Sequence, residues 1–257
     1  MEYLFDFKNK NVLITGAASG IGLESTVAFL QNGATVYMAD YNGEALNEKA
    51  EQLRKEYGEE KIVALTADIT DNDSVRAMLR SIKAEGGDID ILINNAGMAH
   101  QQYSVYEKPE DWSKVINLNL TAQFFVAQTV ANEFFIPKKQ GKIINMCSLG
   151  GILGIPMATA YSASKGGLIQ TTKSLAFEWA RFGINVNAVC PGFVDTPLIA
   201  ENVANEKWVS YMTMRTPMRR LARPDDVAGS VLFLSSHMSD YITGATLVID
   251  GGMSAGA

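Results

Sequence analysis

The chain has 257 residues, of which 47% are hydrophobic and 19% charged. This balance excludes a disordered chain, which needs low hydropathy and high charge, and also collagen-like and disulfide-scaffold classes. With 22 Lys and Arg against 28 Asp and Glu the net charge is −6, so a phosphate backbone would be repelled and nucleic acid is not an expected partner.

In chain order, a β-branched run at residues 11–15 leads through a glycine-rich turn into a helix over 20–32. A strand at 34–39 precedes a helix at 43–57, and a strand at 62–67 precedes a helix at 73–85. A fourth strand, 89–94, is followed by one long helical stretch over 110–135. Strand 142–147, helix 159–182, strand 184–190, helix 224–235 and strand 245–250 complete the series. The strands read as nearly continuous apolar runs, the pattern of a parallel sheet covered by helices on both faces. Repeated β-α-β units with right-handed crossovers predict an α/β fold, a Rossmann-like doubly wound sheet of about seven parallel strands. No linker or repeat interrupts the series, so one domain over 1–257 is expected. Residues 195–223 depart from the pattern, hold Pro197 and Pro217, and follow a strand's carboxyl end, where open α/β sheets bind ligands. They are read as a substrate lid, in which Met212, Met214 and Met218 either close over a ligand or pack.

The two cysteines, Cys147 and Cys190, lie in apolar strand-like runs and are expected to be reduced, buried thiols. Residues 1–10 carry acids and no apolar leader, and no apolar run approaches the ~20 residues that span a bilayer. A cytoplasmic protein without membrane contact is the expectation.

The first turn reads Thr15-Gly16-Ala17-Ala18-Ser19-Gly20-Ile21-Gly22. Glycines here let backbone N–H groups approach a pyrophosphate, and the helix that follows offers its positive end to the same group. Gly16, Ser19, Gly20, Ile21 and Gly22 are therefore expected to bind a dinucleotide. The second strand ends beside Asp40, 24 residues beyond Gly16, where a carboxylate accepts hydrogen bonds from ribose hydroxyls and repels a 2′-phosphate. Tyr41 and Ser19 flank it, so no Lys or Arg receives a 2′-phosphate and NAD is expected over NADP.

Tyr161-Ser-Ala-Ser-Lys165 puts a phenol and an ammonium one helical turn apart, 13 residues after Ser148 at the end of a strand. With these residues, Asp68-Ile69-Thr70, Asn94-Asn95-Ala96-Gly97, Asn119 and Pro191-Gly192, the chain resembles the short-chain dehydrogenase/reductase family over residues 7–253. The resemblance implies cofactor roles for Asp68 and Ile69 at the adenine, for Asn95, Ala96 and Gly97 on the adenosine and ribose side, and for Pro191, Gly192, Val194 and Thr196 at the nicotinamide end. It also implies a catalytic tetrad. Tyr161 is expected to move the substrate hydroxyl proton, made acidic by the Lys165 ammonium and an oxidised nicotinamide. Ser148 would steady the reacting oxygen, Lys165 would also hold the nicotinamide ribose, and Asn119 would hold a water linking Lys165 to solvent. Asn117 is the neighbour with which Asn119 is most easily confused.

Residues 141–148 and 175–180 are similar to the family branch acting on sugar acids and polyols, of the gluconate 5-dehydrogenase and 2-deoxygluconate 3-dehydrogenase kind. Hydride transfer on a secondary alcohol or ketone of that class is the expected reaction. The alternatives are a 3-oxoacyl-carrier-protein reductase or steroid dehydrogenase and, in a different class, a non-catalytic NAD sensor, which would have no use for Ser148, Tyr161 and Lys165 together. His100 and His237 lack partners at metal-ligand spacing, so no metal is expected; both read as exposed, although His100 also stands where a substrate pocket would border it. Aromatics on the helices of 110–135 and 159–182 exceed what one sheet face covers, and the family resemblance implies a homotetramer built on them.

Overall fold

The computed structural model describes residues 5–256, so residues 1–4 of the stretch inspected for a leader lie outside it. The elements in chain order are β1 (Asn11–Thr15), α1 (Gly20–Gln31), β2 (Thr35–Asp40), α2 (Gly43–Tyr57), β3 (Ile62–Thr66), α3 (Asn72–Ala84), β4 (Ile91–Asn94), α4 (Pro109–Ile116), α5 (Gln123–Val130) and α6 (Ile136–Lys138). They continue with β5 (Gly141–Met146), α7 (Thr159–Trp179), β6 (Ile184–Pro191), α8 (Ala200–Val203), α9 (Glu206–Arg215), α10 (Pro224–Ser235) and β7 (Thr246–Ile249). All seven strands are parallel and stand in the order β3-β2-β1-β4-β5-β6-β7. The order reverses between β1 and β4, which opens a crevice at their carboxyl ends.

Apolar side chains on successive strand residues feed two separate cores. Val12 and Ile14 of β1, Val36 and Met38 of β2, and Ile91 and Ile93 of β4 join Phe29 of α1 and Val227 and Val231 of α10 on one face. Leu13, Tyr37 and Leu92 point the other way and meet Leu79 of α3, Val126 of α5 and Leu175 of α7. Burial on both faces is why most strand positions are apolar. Each fully covered Leu, Ile or Val side chain contributes about 1.5–3 kcal/mol relative to exposure.

The structure differs from the sequence expectation in two places. The helix expected as one piece over 110–135 contains wider π turns at Asn117–Ala122 and Ala131–Phe135. Polar side chains are drawn into this stretch: Asn94 Nδ2 donates to the Gln123 carbonyl at 2.8 Å, and Gln123 Nε2 to the Ala96 carbonyl at 2.6 Å. Side chains inserted into the helix ladder are a recognised cause of such irregularity. Residues 195–223 also hold two helices, α8 and α9. The start of α9 is fixed by Asn205, whose side chain accepts from the N–H groups of Lys207 and Trp208.

Candidate active site

The crevice at the switch point opens into a cavity of about 820 Å³. One part of its wall is the β1–α1 turn. Gly16 and Gly20 adopt φ of +67° and +54°, a region that favours glycine. Gly22 has a different task. A Cβ there would lie 2.1 Å from the Gly16 carbonyl oxygen, so glycine allows α1 to start against the turn. Gly22 does not line the cavity, whereas Gly16, Ser19, Gly20 and Ile21 do.

The turn is tied to the loop after β4. Thr15, fully buried, accepts through Oγ1 from the N–H groups of Asn95 at 3.0 Å and Ala96 at 3.1 Å. Asn95 Nδ2 donates back to the carbonyls of Thr15 and Gly16 at 3.0 and 3.1 Å. The side chain of Asn95 thus braces the turn, while Asn95, Ala96 and Gly97 still border the cavity.

At the end of β2, Asp40 Oδ2 accepts from Ala18 N–H at 3.1 Å and Oδ1 from Asn42 N–H at 3.0 Å. These contacts orient a carboxylate on the cavity wall next to Tyr41, Asp68 and Ile69. Asp68 Oδ1 is itself held by the N–H and hydroxyl of Thr70, at 2.8 and 2.7 Å. Ile69 is buried and supplies an apolar patch.

Ser148, Tyr161 and Lys165 converge on the opposite wall. Ser148 follows β5, and its Oγ accepts from Gly150 N–H at 3.0 Å. Gly150 packs where a Cβ would meet the Tyr161 ring at 3.3 Å, so the turn after Ser148 lies against the phenol. Lys165 is buried, and its Nζ donates to the Met146 carbonyl at 2.7 Å, 6.0 Å from the centre of the Tyr161 ring. Burial pushes the Tyr161 phenol above its ordinary value, and a hydrogen bond with Ser148 works against that shift. Burial also lowers Lys165. The Lys165 ammonium is turned to the Met146 carbonyl, and Ser148 is the side chain whose hydrogen bond lowers the Tyr161 phenol.

Asn119 does not border the cavity. It is fully buried within the first π turn, where Oδ1 accepts from Met98 N–H at 2.8 Å and Nδ2 donates to the Met98 carbonyl and Ser164 Oγ at 2.9 and 3.2 Å. Its side chain clamps the loop after β4 to α7 at Ser164, the residue before Lys165. Asn117, its neighbour, is the one on the cavity wall.

Pro191, Gly192, Val194 and Thr196 close the far end, joined by Phe193, Pro197, Leu198 and Ile199. Only the first residues of the expected lid face the cavity. Met212 and Met214 of α9 and Met218 beyond it do not line the cavity, and Met214 and Met218 are exposed. His100 corrects another expectation. It is a cavity residue with a side chain 24% exposed, and its Nε2 lies 3.2 Å from Glu107 Oε1. The signal was its place just past the 94–97 turn. His237 is exposed as expected. Cys147, just past β5, and Cys190, in β6, are free and buried. No cluster of three or more His, Cys, Asp or Glu able to hold a metal occurs among the described residues.

The site fits a dinucleotide: a glycine cradle under a helix start, a carboxylate at the end of β2, and a phenol–serine–lysine group lining one continuous cavity. A family model described as enoyl-(acyl carrier protein) reductase matches residues 16–254. The chain belongs to the short-chain dehydrogenase/reductase family, oxidoreductases acting on CH–OH and keto groups. It is 40% identical to a 3-oxoacyl-[acyl-carrier-protein] reductase of Thermotoga maritima over 96% of this chain and 98% of that one. It is 35% identical to the gluconate 5-dehydrogenase of Gluconobacter oxydans over 97% of this chain and 96% of that one. Among solved structures, a gluconate 5-dehydrogenase from Burkholderia cenocepacia in complex with NADP and tartrate superposes with a TM-score of 0.93 at 34% identity, covering 98% of each chain.

Proposed function

We propose that this chain interconverts a secondary alcohol and a ketone on a sugar acid or polyol, using NAD. The observation that carries the reading is the convergence of Ser148, Tyr161 and Lys165 on one wall of the cavity whose other wall holds the glycine turn and Asp40. Gly16, Ser19, Gly20 and Ile21 would hold the pyrophosphate, Asp40 and Tyr41 the adenosine ribose, Asp68 and Ile69 the adenine, and residues 191–196 the nicotinamide end. Gly22, Asn95 and Asn119 would serve by bracing these elements. A bound oxidised nicotinamide would supply the acceptor for the hydride of the carbinol carbon.

The protein's own part is to handle the proton. Raised by desolvation, the Tyr161 phenol is the proton donor to the forming alkoxide in the reducing direction. In the oxidising direction it must take the hydroxyl proton, and bringing a phenol from about 10 to near neutrality requires a shift of ~2–3 units, or about 3–4 kcal/mol. The Ser148 hydrogen bond offsets part of the rise due to burial, and the positive charge of a bound oxidised nicotinamide, with Lys165 one helical turn away, would supply the downward shift. Ser148 Oγ, fixed by Gly150 N–H, holds the reacting oxygen.

The choice of NAD rests on the Asp40 carboxylate and the lack of Lys or Arg at Ser19 and Tyr41. The sugar-acid reading is supported by the gluconate-named relatives and by polar His100, Gln101 and Asn117 on the cavity wall. The identity to a 3-oxoacyl-carrier-protein reductase favours that activity as the second reading. A spectrophotometric panel of sugar acids, polyols, steroids and 3-oxoacyl thioesters with both cofactors tests all of these. Activity confined to oxoacyl thioesters would overturn the carbohydrate reading. Exposed Phe177 on α7 and half-exposed Phe125 on α5 support association of copies through these helices, as in a homotetramer. No helix among the described residues is long and apolar enough to cross a membrane, and two free buried thiols suit a reducing compartment such as the cytoplasm.

A further inference from the structure

The mechanism leaves one buried polar pair next to the reaction chamber unused. His100 lies on the loop after β4, and Glu107 follows a single turn of tight helix at Ser104–Tyr106. Their facing atoms, Nε2 and Oε1, stand 3.2 Å apart, are sealed from solvent, and are not aligned as a hydrogen bond. The Glu107 side chain is only 11% exposed. A buried carboxylate beside an imidazole has one natural use for it, as acceptor of the ring N–H, which a small rotation of the ring achieves. That arrangement makes Nε2 the protonated nitrogen and Nδ1 the free acceptor. Nδ1 has no partner among the described residues and is not sealed as Nε2 is.

The loop carrying His100 is anchored at the substrate end. Gln102 N–H donates to the Met157 carbonyl at 2.8 Å, and Gln102 pairs as a short bridge with Ala158, three residues before Tyr161. Neighbouring polar groups are already committed: Gln101 Nε2 donates to Asn202 Oδ1 at 3.0 Å, and Gln102 Oε1 accepts from Tyr103 N–H at 2.9 Å. His100 lines the same cavity as Tyr161 and Ser148.

We propose that His100, its ring set by Glu107, is a specificity-determining residue whose Nδ1 accepts a hydrogen bond from a hydroxyl on the substrate's carbon chain, away from the reacting carbon. The inference rests on the sugar-acid and polyol reading and deepens it: it selects substrates with a further hydroxyl and gives nothing to an aliphatic oxoacyl chain. Glu107 is a positioning residue, acting only through His100.

The test uses the enzyme with NAD and the polyhydroxylated substrate on which the wild type is most active, gluconate being tried first. His100→Leu leaves a substrate hydroxyl facing an apolar group, and KM is expected to rise about tenfold, by more than kcat falls. The NAD dissociation constant, measured in parallel, stays at the wild-type value. His100→Asn keeps a carbonyl acceptor and recovers part of the loss. Glu107→Ala raises KM in the same direction, and Glu107→Gln, which keeps an acceptor for Nε2–H, restores most of it. An unchanged KM in His100→Leu, or a KM rise matched by an equal weakening of NAD, overturns the assignment while the functional reading stands. A wild type that turns over only substrates without a second hydroxyl overturns both, and does so before any variant is made.

Discussion

Replacing Asp40 by Asn tests the cofactor assignment at one charge. The variant retains one oxygen acceptor for the backbone contacts that now come from Ala18 at 3.1 Å and Asn42 at 3.0 Å, and loses the negative charge. A 2′-phosphate lodged about 4 Å from the carboxylate would be repelled by about 4 kcal/mol at an effective dielectric near 20. Asp40 is only partly buried at the cavity rim, so water and salt reduce this to roughly 2 kcal/mol. That corresponds to about a 30-fold change in binding. Calorimetric titration of the wild type and Asp40→Asn with NAD and NADP should show the preference moving toward NADP by about that factor, mainly through tighter NADP binding. Tighter NADP than NAD binding in the wild type, or a preference moved by less than about threefold in the variant, refutes the electrostatic argument.

Four other outcomes follow from the same geometry. Tyr161→Phe should lower turnover by about 10²–10⁴-fold with the NAD dissociation constant unchanged; retained turnover removes the phenol from proton transfer. Thr15→Val leaves the buried N–H groups of Asn95 and Ala96 without their acceptor and should cost about 2–3 kcal/mol in urea denaturation. Asp226, held down to about 2 by Arg220 and by the Arg223 N–H at the start of α10, stabilises the fold above its ordinary carboxylate value and loses that contribution as pH falls through about 2. Asp226→Asn should therefore be less stable by about 1 kcal/mol at neutral pH and equal to the wild type in melting temperature near pH 2. Phe177→Asp should shift light-scattering mass toward the monomer, whereas a wild type that is already monomeric at micromolar concentration removes the proposed α7 contact.

The sheet was legible because a strand buried on two faces is largely apolar, as Val12, Leu13 and Ile14 are; where polar residues enter, as Asn185 and Asn187 do in the 184–190 run, their side chains donate to the Ile242 carbonyl. Strand ends moved by one or two residues, since hydrogen bonding to a neighbour, which has no local signature, decides where a strand stops. The cavity residues were legible where backbone shape demands a residue type, as at Gly16 and Gly20, or where spacing repeats a helical turn, as at Tyr161 and Lys165. What escaped were roles set by partners distant in sequence. Gly22 is small because of the Gly16 carbonyl, and Asn119 is spent on Met98 and Ser164. His100 owes its place in the cavity to a glutamate on the far side of a turn and to a bridge with residue 158. The first π turn ends where Asn94 and Gln123 side chains reach across, and the helical periodicity of 110–135 carries no trace of either π turn.

The reciprocal stitching of Thr15 and Asn95 has a dynamic corollary. Four hydrogen bonds rivet the floor of the crevice across the point where the sheet changes direction, so its two halves cannot part like a hinge. Entry and exit must then be governed at the rim, where the short helices of residues 196–215 contribute no strand to the sheet. Amide exchange should be slowest at Asn95 and Ala96 and fastest along that rim, making the mouth of the enzyme, and not its bed, the part that breathes during turnover.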